Sequence, residues 1–69
     1  MKTETEITKT LQDRVRGLIL VIKVDDEVYK VKITNGIYIF EKTIIYTDDE
    51  WEYNLLKEYQ DFVTNMFFK

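Results

Sequence analysis

Five residue types are missing from this chain of 69: alanine, serine, proline, cysteine and histidine. Without cysteine there is no disulfide and no thiolate metal site. Without histidine the commonest zinc ligand and the commonest general base are gone. Without serine as well, a nucleophile has to be threonine, lysine, tyrosine or a carboxylate. Glycine occurs only at Gly17 and Gly36, so there is no glycine-rich phosphate loop. Long apolar runs are also lacking. The longest, Leu18 to Ile22, has five residues, far short of the roughly 18 that suggest a membrane span. The N-terminus, with Lys2, Glu4 and Glu6, has no signal-peptide pattern. These absences point to a cytoplasmic, non-enzymatic protein with no cofactor and no membrane partner.

What is present suits one small domain spanning residues 1–69. Hydrophobic residues make up 45% and charged residues 33%, a globular rather than disordered balance. Aromatics, at 14%, add large side chains to a core that is short of material. A chain this size buries only about 60% of its unfolded surface, so a partner or a second copy is a natural supplement. Lysine outnumbers arginine eight to two, and isoleucine, threonine and tyrosine abound. This usage resembles translation from an AT-rich genome, such as that of a virus of a low-GC bacterium. The net charge is −3. Residues 1–40 hold seven basic against six acidic side chains, and residues 41–69 hold three against seven.

Pattern along the chain predicts α+β architecture in the order α-β-β-β-α. Ile7, Leu11 and Val15 recur at helical spacing over Thr3 to Arg16, with Gly17 placed as a helix-ending glycine. Leu18 to Val24 is β-branched or apolar throughout and predicts a strand. Val28 to Thr34 alternates and predicts a second. Asn35-Gly36 predicts a two-residue hairpin turn, and Ile37 to about Tyr46 a third strand. That turn sets Ile33 opposite Tyr38, Val31 opposite Phe40 and Lys30 opposite Glu41. Tyr29, Val31, Ile33, Tyr38 and Phe40 then form the core face. From Thr47 onward a capping box, Thr47-Asp48-Asp49-Glu50, starts a long helix running to Phe68. Its apolar arc (Trp51, Leu55, Leu56, Tyr59, Phe62, Val63, Met66, Phe67) packs the three-stranded antiparallel sheet.

Candidate sites are few. The clusters Asp25-Asp26-Glu27 and Asp48-Asp49-Glu50 resemble cation ligands in composition. A hairpin turn and a helix N-terminus explain them without a metal. Paired carboxylates for glycoside chemistry need a cleft that one helix over three strands does not leave. Lys23, Lys30 and Lys32 with Tyr29 and Tyr38 suggest a nucleic-acid surface. The element order likewise resembles that of the double-stranded RNA-binding domain. Those domains begin their last helix with a basic cluster, where this chain has Asp48-Asp49-Glu50, so nucleic-acid binding is disfavoured.

Two surfaces remain as candidates for binding a protein partner. Glu50, Asn54, Glu58, Asp61 and Asn65 form an acidic stripe on the last helix, with Lys57 at its margin, suited to a basic partner. Tyr53 and Phe68 lie beside it as possible anchors. The other is the strand run Leu18, Ile19, Leu20, Val21 and Ile22, apolar on both faces. Either the first helix folds over its second face, or it is an open edge for homodimerisation, with Ile37 and Ile39 joining. The reading is a protein-interaction module, such as a virus-encoded inhibitor binding a host protein. Its alternatives are a nucleic-acid-binding domain and a symmetric assembly protein.

Overall fold

The computed structural model describes residues 3–67. It is an α+β fold in the order α1 (Thr3–Gln12), β1 (Leu18–Asp25), β2 (Val28–Thr34), β3 (Ile39–Ile45) and α2 (Trp51–Phe67). The strands form one antiparallel sheet in the order β1-β2-β3.

Both helices lie on the same face of that sheet. Ile7 and Leu11 of α1, Val31 and Ile33 of β2 and Leu55 of α2 belong to one core and are its fully buried side chains. Of the two alternatives for the Leu18–Val24 strand, the one in which α1 covers its second face is therefore ruled out. The core has two characters. Beneath α1 it is aliphatic, with Val15, Ile19 and Val21 joining Ile7 and Leu11. Beneath α2 it is aromatic. Phe40 meets Tyr59 and Phe62 at ring centroid distances of 5.5 and 5.4 Å, and Tyr38 meets Phe62 edge-on at 5.5 Å. Edge-to-face rings at such distances attract beyond their buried area. Met66 and Phe67 close the apolar arc at the helix end, where they are 40% and 50% exposed and Phe67 meets Tyr38 edge-on at 6.4 Å.

A hydroxyl contact ties α2 down. The Tyr38 and Tyr59 hydroxyls hydrogen-bond to each other, and Tyr59 Oη donates to the Arg16 carbonyl at 3.5 Å. One helix side chain thus holds both the β2–β3 loop and the α1–β1 connection. Burial, followed by the neighbouring Tyr38 hydroxyl, pushes the Tyr59 hydroxyl up from 10.0 to about 12.

The connections explain where the register departs from expectation. Asn35 Oδ1 accepts the amides of Ile37 (3.0 Å) and Tyr38 (3.4 Å). The side chain thereby extends the turn by two residues, and β3 starts at Ile39. Ile33 now faces Phe40, and Glu41 faces Lys32. A shift of two residues preserves side-chain parity, so the predicted core face stands. Lys30 and Glu41 still pair, diagonally, at 3.8 Å. At the β1–β2 turn Glu27 adopts φ 62° and its carbonyl accepts the Tyr46 amide at 2.7 Å. α2 begins at Trp51 rather than Thr47. Asp48 is the capping residue, its Oδ1 accepting the Glu50 amide at 3.0 Å.

Gly17 does not cap α1, which ends five residues earlier at Gln12. It sits at φ +124°, and a Cβ built there falls 2.5 Å from the Thr34 carbonyl oxygen. Glycine is required because two backbones meet. Gly17→Ala is expected to destabilise the fold by about 2 kcal/mol or more, through strain at positive φ and displacement of the β2 end. Urea unfolding of the variant measures this. The tyrosine contact gives a second prediction. Between pH 10 and 12 the unfolded chain has released the Tyr59 proton and the folded chain holds it. Stability is therefore complete below pH 10 and is lost as pH rises towards 12. The urea midpoint of the wild type should fall over that window, and Tyr59→Phe should flatten the decline.

Candidate interaction surface

With both helices on one face, the other face of the sheet has no covering layer among the described residues. The register sets its side chains in rows: Leu18, Thr34 and Ile39; Leu20, Lys32 and Glu41; Ile22, Lys30 and Thr43; then Val28 and Ile45. β1 thus contributes an apolar column, extended by Val24. A second apolar group lies along β3 with Ile39 and Ile45, joined by Ile37 from the loop. Leu18 is 76% exposed, Ile37 69% and Ile39 62%, and Leu20, Ile22, Val24 and Ile45 are also open. Between the two columns stand Lys30 and Lys32 on β2, with Glu41 beside them.

A fully buried aliphatic side chain accounts for about 60–120 Å² of apolar area. Seven such residues, open by 43% to 76%, present on the order of 250–500 Å². Divided between two columns, that is comparable with the largest patch on a typical monomer, about 300–600 Å². β1 also explains why its sequence is apolar on both sides. Ile19 and Val21 are half-buried against the core, while Leu18, Leu20 and Ile22 point away from it. The expected five-residue run therefore divides into a packed pair and an open trio.

The acidic stripe on α2 fares differently. Glu58 pairs with Lys42, whose Nζ donates to Oε2 at 2.6 Å across the β3–α2 seam. Asn54 is half-buried, and Glu50 lies in the turn preceding α2. Glu52 pairs with Arg14 of the α1–β1 connection at 3.2 Å. Asp61 and Asn65 are exposed, as is Tyr53. The stripe, on which a helical wheel sets only Lys57 at the margin, thus has a second cation beside it. Lys42 supplies a cation that the wheel, drawn from one helix, does not contain. Phe68 lies outside the described residues.

The lysine–tyrosine constellation is divided between the two faces of the sheet, and only Lys23 lies beside one of its tyrosines, opposite Tyr29 in the β1–β2 register. Tyr29 and Tyr38 are only 4% and 7% exposed, on the core face. Lys30 and Lys32 stand on the opposite face, and no aromatic ring shares it among the described residues. Each acidic cluster takes part in a turn. The Asp26 amide donates to Asp25 Oδ1 at 2.8 Å, and Asp48 caps the turn before α2. Among the described residues no group of three or more His, Cys, Asp or Glu side chains is placed to hold a metal ion. No helix among them is long and apolar enough to cross a membrane. No protein-family model matches the chain, and neither a curated protein nor a solved structure is significantly similar to it.

The Lys42–Glu58 pair also carries a prediction. Glu58 is solvated, and such pairs contribute under about 1 kcal/mol. A double-mutant cycle with Lys42→Met and Glu58→Gln should return a coupling of that size at low salt, and less at 1 M salt.

Proposed function

We propose that this chain is a non-enzymatic protein-binding module whose working surface is the open face of the sheet. The observation that carries the reading is the arrangement of that face, with two exposed apolar columns flanking Lys30 and Lys32. A core short of material explains one uncovered face. It does not explain filling that face with leucine and isoleucine, since a solvated sheet face ordinarily alternates to polar residues. Apolar area supplies affinity, and the lysines set orientation and specificity. The matching occupant is a segment of a partner protein with apolar side chains on both flanks and carboxylates between them. Amino-acid usage of the kind an AT-rich genome produces extends the reading to a modulator or inhibitor encoded by a virus or mobile element.

The alternative surface, the acidic stripe, is the weaker candidate because Lys42 already engages Glu58. Site-specific photocrosslinking in the native host separates the two. A photoreactive residue at Ile39 or Ile45 should yield a discrete adduct with one other protein, and the same residue at Asp61 should not. Reversing both charges, Lys30→Glu with Lys32→Glu, should lower the adduct yield at least tenfold. Adducts from Asp61 instead, or a yield indifferent to the charge reversal, would refute the reading.

A further inference from the structure

The two edges of the sheet differ, and the difference identifies a partner. β3 carries Glu41, Lys42 and Thr43 at its middle, the kind of charged edge that resists pairing with another strand. β1 carries no charge from Leu18 to Ile22. It is hydrogen-bonded to β2 alone, so its outer edge pairs with no described segment. Its side chains on the open face are exposed, Leu18 most of all. The pairable stretch is bounded at both ends. Gly17, at φ +124°, turns the chain away before it, and the register shift between Lys23 and Asp25 interrupts it afterwards.

We propose that two copies of this chain join edge to edge through β1, antiparallel across a twofold axis that passes near Leu20. The axis stands perpendicular to the sheet, so the product is one continuous six-stranded sheet with all four helices on the same side. Leu20 faces Leu20 of the other copy, and Leu18 faces Ile22. Cross-strand aliphatic pairs of this kind favour the ladder they sit on, and a twofold interface of self-matching residues closes without growing into a fibre.

Charge separates this arrangement from its nearest rival, the packing of one open face against another. Lys30, Lys32 and Glu41 stand in the middle of that face. Stacking two faces would take those charges out of water, at a cost their own pairing does not reliably recover. Edge pairing leaves them solvated. It also merges the two β1 columns into one apolar strip, with a lysine pair on either side. The dimer does not depend on the partner-binding reading, and if both hold, each assembly presents two copies of the docking face.

Light scattering on the size-fractionated protein tests the proposal without any partner. At tens of micromolar the mass should be twice the 8.4 kDa of the chain. Leu20→Glu sets two carboxylates against each other at the axis and places each beside Lys32 of its own sheet. It should give a folded monomer with unchanged far-ultraviolet circular dichroism and at least a tenfold weaker association. Ile39→Glu alters the open face at the far strand and should leave the dimer intact. A wild-type monomer at several hundred micromolar overturns the proposal. So does a dimer that Ile39→Glu dissociates as readily as Leu20→Glu, since that pattern belongs to face-to-face packing.

Discussion

Ile7 and Leu11 of α1 and Leu55 of α2 are buried in one core with Val31 and Ile33, and this shared core commits both helices to one side of the sheet. A helix of ten residues and one of seventeen supply enough apolar side chains to bury one face of three strands. A third layer needs another apolar element, and the described residues contain none. The exposed Leu18, Leu20, Ile22, Ile37, Ile39 and Ile45 are the direct consequence. Whatever the chain binds, its core geometry determines which side is free to bind it.

The division of the core into an aliphatic and an aromatic half has its own logic. α1 is short and rich in threonine, a poor helix former. It holds its place by packing Ile7, Leu11 and Val15 into a region of Ile19, Val21 and Ile33, where aliphatic surfaces interdigitate closely. α2 is longer and crosses the β3 side with Tyr59 and Phe62. The Tyr38–Tyr59 contact joins the halves, because Tyr59 reaches the Arg16 carbonyl just before Gly17. Gly17 in turn lies against Thr34. The α1–β1 connection is thus fixed from two sides, by a hydroxyl and by a bare backbone contact.

Much of this was legible in the sequence, and the failures have identifiable causes. Alternation over Val28–Thr34 correctly gave the core face, since parity survives any even register shift. Backbone tolerance at Asn35 predicts a two-residue turn and a register two residues short of the one formed. Its side chain instead captures two amides and lengthens the turn. Gly17 was read as a helix cap because its position after Arg16 permits that. Only the fold brings Thr34 close enough to show the other reason for glycine. The side on which α1 packs was undetermined, because an amphipathic helix declares that it has an apolar face and not which neighbour covers it. Lys42 escaped the acidic-stripe reading for a similar reason: it sits on a strand, and a helical wheel sees one helix at a time. Glu27 at positive φ carries no sequence signal at all.

The contrast between β1 and β3 bears on whether the open apolar surface is incidental. A chain that merely lacked material for a third layer could still have spaced charges along both edges and both faces. Lysine and glutamate occur on the same sheet at Lys30, Lys32, Glu41 and Lys42, so such residues were compatible with these strands. On β1 a lysine appears only past the pairable stretch, at Lys23, and the exposed positions of Leu18 to Ile22 are all leucine or isoleucine. An unguarded, uncharged edge is an aggregation hazard for a free monomer. That hazard disappears when the edge is paired with a copy of itself. The same pairing sets the two β1 columns side by side on a single rigid sheet, which is a better platform for a partner than either column alone.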